Sequence, residues 1–395
     1  MFFVLTSVCG FSQEFTFKQE TDSLTKSFLE QLSADSIRQK ITEFQNLGTR
    51  YAYTDGYKNA ANRLKGGFES YGLISFIDSF YVYSFDADGK DSVIQYNVVA
   101  FLPGFDYPEE VILMGAHLDC VVSFLGDANK NAPGADDNAS GVAAMLELAR
   151  VFKKNKYKPK RTICFVGFAA EEVGLLGSRD FAANSRLDIR LMVNNDMIAH
   201  DSEEPWIVNI CAYKNANWVE DYAKEMTKKY TRLQMTFSRL FGRYTDSYSF
   251  AREDYPSVFF IEEDFSPYYH SEEDSVKYLN MDYCKEVVKI SCAMIVHAAG
   301  ISKDTKEPKI SAVSYEDVVN VMVHSHENVV ADFVFLNKDE KKLKVFKRKQ
   351  NIGDKTIFRI DKNSIPESAF YLQLKTRKHT AKCKIETELP EKADE

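Results

Sequence analysis

Three nearly continuous apolar runs of strand length dominate the middle of this chain, and each leads straight into residues that bind metals or protons. They are Val111 to His117, Arg161 to Ala169 and Leu191 to Asn195; Ser257 to Ile261 is a fourth apolar run. Unbroken apolarity marks strands covered on both faces. Helical patterns lie between them. Asn138 to Lys154 carries Val142, Met145, Leu146, Ala149 and Phe152 at helical spacing, and Met281 to Ala299 closes at Gly300. Ser36 to Phe44 and Asp55 to Tyr71 read as amphipathic helices, and Ser92 to Phe101 as a strand. This alternation predicts an α/β fold over 13–302: a mixed, mostly parallel doubly wound sheet flanked by helices. Ligands of such sheets bind beyond the carboxyl ends of the strands. His117, Glu171, Glu172 and Asp196 all stand there.

The pattern changes after Gly300. From 303 to 395 the runs are short and β-rich: Val329 to Leu336, Leu343 to Phe346, Thr356 to Ile360, Phe370 to Leu374 and Cys383 to Thr387. They predict a small C-terminal β-sandwich-like domain, with one helix at Tyr315 to Met322. Its basic cluster (Lys341, Lys342, Lys344, Lys347, Arg348, Lys349) reads as the solvated face of strands, with polyanion binding as the alternative.

Bulk properties narrow the function. A chain of 395 residues with 45% apolar residues can bury a large core. Net charge is −8 and no basic stripe precedes the C-terminal region, which argues against nucleic acid as a partner. No apolar run reaches the roughly 18 residues of a membrane-spanning helix. Residues 1–12 resemble the end of a signal peptide, with small residues at Gly10 and Ser12, so export to a periplasm or the exterior is expected. The six cysteines beyond that segment show no regular spacing, and no bridges are proposed.

Five segments carry the chemistry: Ala116-His117-Leu118-Asp119, Pro133 to Gly141, Ala170-Glu171-Glu172, Asn195-Asp196-Met197 and Tyr269-His270-Ser271. Each has a plainer explanation. A lone histidine at a strand end is commonly a hydrogen-bonded structural residue, yet Asp119 stands two residues on and can fix its tautomer. Asp136-Asp137-Asn138 could serve as a helix N-cap, but a cap needs one acceptor and this loop has two consecutive carboxylates. Glu171-Glu172 suits a helix start, yet it follows an apolar run, and adjacent buried carboxylates repel unless a cation or proton compensates. Two imidazoles and at least four carboxylates suffice for two zinc ions and one free carboxylate base.

These segments, in this order and at these spacings, resemble the zinc-dependent aminopeptidases of the di-zinc exopeptidase superfamily, which also includes glutamate carboxypeptidase and glutaminyl cyclase. The resemblance covers residues 40 to 300; the C-terminal β-region lies outside it. It implies two zinc ions per chain: one held by His117 and Asp196, the other by Glu172 and His270, with Asp136 bridging. It further implies Glu171 as general base, Asp119 as the partner of His117, and a cis peptide bond at Asp136-Asp137. Peptides are the implied substrates, trimmed from the amino terminus. Tyr269 is a candidate donor to the oxyanion or else a pocket wall, and Tyr244 is its competitor for that role. The segment Thr245-Asp246-Ser247 departs from the family's Ser-Asp-His.

Within enzymes the rivals are cyclisation of amino-terminal glutamine, which uses one zinc, and carboxypeptidase action on acidic dipeptides, for which Arg239, Arg243 and Arg252 are available. From another class, a non-catalytic metal-stabilised binding protein would be expected to lose the base or a ligand; here both are present.

Overall fold

The computed structural model describes residues 19–83, 92–123, 131–185, 187–213, 216–302, 307–315, 318–325, 329–352 and 356–385. The signal-like segment 1–12 lies outside these residues. Chain contacts define two compact units: Met1–Phe101, Ile112–Tyr157 and Cys164–Gly300 form one, and Leu102–Val111, Lys158–Ile163 and Ile301–Glu395 the other. A single cut at 302/303, as expected from the change in composition, therefore misses 102–111 and 158–163, which group with the C-terminal strands. Composition reports where strand character begins along the chain, not which earlier segments pack there.

In the first unit three helices lead into the sheet: α1 (Gln19–Leu29), α2 (Ala34–Gln45) and α3 (Asp55–Ser70). Strands β1 (Ile74–Tyr83), β2 (Ser92–Leu102), β3 (Tyr107–His117), β4 (Arg161–Phe168), β5 (Asp188–Asn195), β6 (Ile207–Ala212), β7 (Gln234–Thr236) and β8 (Ser257–Glu262) form one sheet. Their order is β1-β2-β4-β3-β5-β8-β6-β7. The sheet is mixed: β5 pairs parallel with β8 and β6 with β7, whereas β1/β2 and β6/β8 are antiparallel. Helices α4 (Ala139–Lys154), α5 (Leu176–Asn184), α6 (Asn217–Tyr230), α7 (Asp246–Arg252) and α8 (Met281–Ala299) complete the unit.

The central strands are buried almost throughout, as their unbroken apolar sequences require: β4 from Thr162 onward, β3 from Val111 onward. Helix α8 is apolar around nearly its whole circumference because nearly every side is covered. No helix among the described residues is long and apolar enough to cross a membrane.

The second unit contains strands β9 (Lys309–Tyr315), β10 (Val318–His324), β11 (Val329–Leu336), β12 (Lys342–Ile352), β13 (Thr356–Asp361), β14 (Tyr371–Lys375) and β15 (Thr380–Lys384). They make a three-stranded sheet, β13-β10-β9, and a four-stranded sheet, β12-β11-β14-β15, both antiparallel. Val319 and Val321 from one sheet and Phe333, Phe335, Leu372 and Leu374 from the other share a single core. The helix expected at Tyr315 to Met322 is instead the junction of β9 and β10, with Tyr315 paired to Val318. Alternating Val319, Val321 and Val323 all face the core, and β-branched side chains at period two favour a strand.

Candidate metal centre

Strand order places three of the five chemical segments side by side, since β4, β3 and β5 are neighbours. His117 ends β3, Glu171 and Glu172 follow β4, and Asp196 follows β5. The crossover from β3 to β4 contributes the 133–141 loop, and the segment after β8 contributes His270. Backbone strain accompanies these placements. Ala170 (φ 55°), Met197 (φ 52°) and His270 (φ 50°) are all left-handed without being glycine. Each such residue costs about 1 kcal/mol or more, and such strain gathers at functional sites.

His117 is buried at the centre. Its Nε2 lies 3.1 Å from Asp196 Oδ1 and 3.1 Å from Asp137 Oδ1. The other oxygen of Asp137, Oδ2, lies 3.2 Å from His270 Nε2, and Glu172 Oε2 lies 2.9 Å from that same nitrogen. One carboxylate thus spans two imidazoles, each of which has a further carboxylate beside it. Ligand atoms of His117, Glu171 and Asp196 lie within 4.8 Å of one another, as do those of His117, Asp137 and Glu172.

The spanning residue is Asp137, not Asp136 as expected from the sequence. Asp136 Oδ1 accepts the Ala199 amide (2.9 Å), and its carboxyl faces Glu262. Burial pushes Asp136 up to about 6, against the hydrogen bond from Glu262 that pulls it down. Burial and the Asp136 charge hold Glu262 well above the usual carboxyl range, so Glu262 keeps its proton and donates a hydrogen bond to Asp136. Asp136 is therefore committed to an internal pair. The cis peptide bond is correspondingly Asp137-Asn138, one residue later than expected.

Asp119 partners His117, as expected, and does more. Its carbonyl faces His117 Nδ1 at 3.1 Å and its carboxylate Oδ1 lies 3.7 Å from the same nitrogen. Its two carboxylate oxygens also accept the amides of Glu171 (3.1 Å) and Glu172 (3.2 Å), fixing both acidic residues. Three other groups hold the site, and the sequence pointed only to the segment that carries two of them. Thr245 donates to Asp196 Oδ2 at 3.1 Å and accepts from Asn194 at 2.6 Å. Arg50, fully buried, donates to the carbonyls of Leu118 (2.9 Å), Pro133 (2.8 Å) and Gly134 (2.8 Å), tying the His117 segment to the Asp137 loop. Asp246 is buried within electrostatic reach of His117 and Asp196, and burial pushes it up to about 7. Its place in Thr245-Asp246-Ser247, the segment that departs from the family pattern, was the one available pointer.

Tyr269 stacks on His270, with ring centroids 3.7 Å apart, and packs against Met197, Cys211, Phe259 and Ile261. Burial first, then the charges of Asp137 and Glu172, push its phenol well above the ordinary range, so it stays protonated and able to donate. Tyr244 is 75% exposed.

Electrostatics show what the cluster lacks. Burial and neighbouring charge push Glu171 well above its usual range and Glu172 up to about 8. Burial disfavours charge on His270, yet Asp137 and Glu172 pull it up to about 10. His117 is raised likewise by Asp196 and Glu171. Asp137 is held low by the two imidazoles. Among the described residues Glu172 Oε1 is buried without a hydrogen-bond partner. Protons crowd into this cluster because four carboxylates repel, and cations can replace them. Oxygen and imidazole donors are the set that zinc accepts.

Residues 97–295 match the profile described as Peptidase family M28, half of the chain. The chain belongs to peptidase family M28. A family relative named as a probable zinc metalloprotease, from Pyrenophora teres f. teres, is 36% identical over 203 residues, 47% of this chain and 43% of the relative. This chain thus spans less than half of that relative's length. Leucine aminopeptidase 1 of Sclerotinia sclerotiorum is 27% identical over 290 residues, covering 69% of this M28 chain and 73% of the relative. Among solved structures, the LapA aminopeptidase of Legionella pneumophila superposes with a TM-score of 0.60 at 26% identity, covering 72% of this chain and 76% of that one.

Proposed function

We propose that this M28 chain is a zinc-dependent exopeptidase, an aminopeptidase that holds two zinc ions and removes amino-terminal residues from peptides. The observation that carries the reading is Asp137 spanning His117 and His270, 3.1 and 3.2 Å from their Nε2 atoms. His117 and Asp196 would hold one ion, and Glu172 and His270 the other, with Asp137 shared. Bound zinc supplies polarisation of the scissile carbonyl and lowers the pKa of the attacking water.

The chain's own groups do the rest. Glu171 lies beside His117 and Asp196 but makes no ion pair with either imidazole among the described residues, which leaves it to take the proton of that water and deliver it to the departing amine. Asp119 holds the Glu171 backbone in place. The protonated phenol of Tyr269, stacked on His270, would donate to the developing oxyanion. The aminopeptidase names of the relatives support this reading.

The test is a release assay on leucyl and glutaminyl peptides, with metal content measured on the same sample. Free amino acid released by protein carrying about two zinc ions is the expected result. Pyroglutamate from glutaminyl peptides would reassign the chain to cyclisation. No product from fully metallated protein would make it a binding protein.

A further inference from the structure

The bridging position of Asp137 depends on how its loop is held. Asp274, buried four residues beyond His270, accepts the amide of Asp136 on Oδ1 (2.9 Å) and the amide of Asp137 on Oδ2 (3.1 Å). Its carbonyl also accepts the Ala135 amide at 3.3 Å. Two oxygens on consecutive amides fix the peptide plane between them, and that plane sets where the Asp137 side chain departs. Asp274 is itself anchored from behind: Gln45 Oε1, at the end of α2, accepts the Val276 amide (2.8 Å) and the Ser275 hydroxyl (3.2 Å). Asp119 does the same for Glu171 and Glu172. Each clamp lets the segment bearing one imidazole hold the backbone of carboxylates from another segment.

We propose that Asp274 is a positioning residue for the metal-bridging carboxylate: it ties the His270 segment to the Asp137 loop and so sets the affinity of the site for zinc. The proposal rests on the two-zinc reading above. An amide nitrogen in place of one oxygen leaves one of the two N–H groups without an acceptor and frees Asp137 to rotate.

The experiment uses the full chain, stripped of metal and titrated with zinc against a competing chelator, and separately loaded with cobalt for its visible spectrum. Asp274→Asn and Asp274→Ala are compared with wild type. Glu147→Gln serves as a structural control, because Glu147 lies in a buried network with Lys40 (3.0 Å) and Arg150 (2.6 Å). Asp274→Asn is expected to bind zinc about 10–100-fold more weakly and to shift the cobalt bands, the range seen when groups that orient ligands are lost. Glu147→Gln lowers the melting temperature and leaves zinc affinity and cobalt bands unchanged. If Asp274→Ala does not fold, Asp274→Asn decides. Wild-type zinc affinity and spectrum in Asp274→Asn would overturn the proposal alone. Failure of wild type to take up zinc would overturn both it and the two-zinc reading.

Discussion

Asp136 and Asp137 stand one peptide unit apart and serve different partners. Asp137 spans His117 and His270, whereas Asp136 accepts hydrogen bonds from the protonated Glu262 carboxyl and from the amide of Ala199. Asparagine can replace Asp136 in that pair but cannot bridge two cations as a carboxylate does. Asp137→Asn is therefore expected to lose zinc, by about 100-fold in affinity or more, while Asp136→Asn keeps its metal content. Metal analysis of the two purified variants checks this, and zinc loss confined to Asp136→Asn would reverse the assignment. Glu171→Gln, which removes the proposed base but no ion-pair partner of either imidazole among the described residues, is expected to keep its zinc and lose about a hundredfold or more in kcat. Near-normal turnover in a metallated sample would exclude Glu171 as the base.

Elements carry the site only because they pack at close range. The start of α4 is pressed against the ends of β3 and β5: a Cβ on Gly141 would sit 2.3 Å from the Asn195 carbonyl and 2.9 Å from the Ala116 Cβ. Gly141→Ala is thus expected to destabilise by about 1–3 kcal/mol and to weaken zinc binding, since the same contact seats the Asp137 loop; denaturant melts with and without zinc measure both. Elsewhere, α1, α6 and α8 meet at Tyr230, which contacts His297 Nε2 (2.7 Å) and Asp22 (2.6 Å). Burial, then the charge of Lys229, depress His297 to about 4. The unfolded chain takes up that proton near pH 6.5, the folded chain only near 4, so the unfolded state binds more protons in between. Stability from this group is complete above pH 6.5 and is lost as pH falls toward 4. The loss is about 3 kcal/mol by pH 4, and His297→Phe should flatten that part of a pH–stability curve. An unchanged slope would place the acid sensitivity elsewhere.

For the molecule as a whole, metal and fold stability are linked, because the carboxylates that repel one another in the site are compensated only in the folded state. At 100-fold excess over its Kd a single bound zinc adds about 2.7 kcal/mol. A chelated sample should melt about 5 °C lower than one with zinc restored, and regain its hydrolysis on restoration. Equal melting temperatures would break that link.

At this scale the architecture was largely readable. Uninterrupted apolar runs at Val111 to His117 and Arg161 to Ala169 are covered strands, and helix α8 runs from Met281 to Ala299 and ends at Gly300 as read from the sequence. Strands β1 and β6 and helix α6 were not anticipated, although Val219, Tyr222, Ala223, Met226 and Tyr230 stand at helical spacing on the buried face of α6. The helix expected at Tyr315 failed because the local pattern there is short, and pairing with β13 chose the strand.

What the sequence determined by itself was the chemistry available: two imidazoles and a set of carboxylates at the ends of buried strands, a pattern with few other uses. Tertiary structure alone decided which carboxylate does what. Side-chain direction depends on backbone torsion and on distant acceptors such as Asp274 and Asp119, and neither is encoded in the spacing of Asp136 and Asp137. Neighbouring residues of one type look alike in a sequence; only the groups they meet across the fold tell them apart.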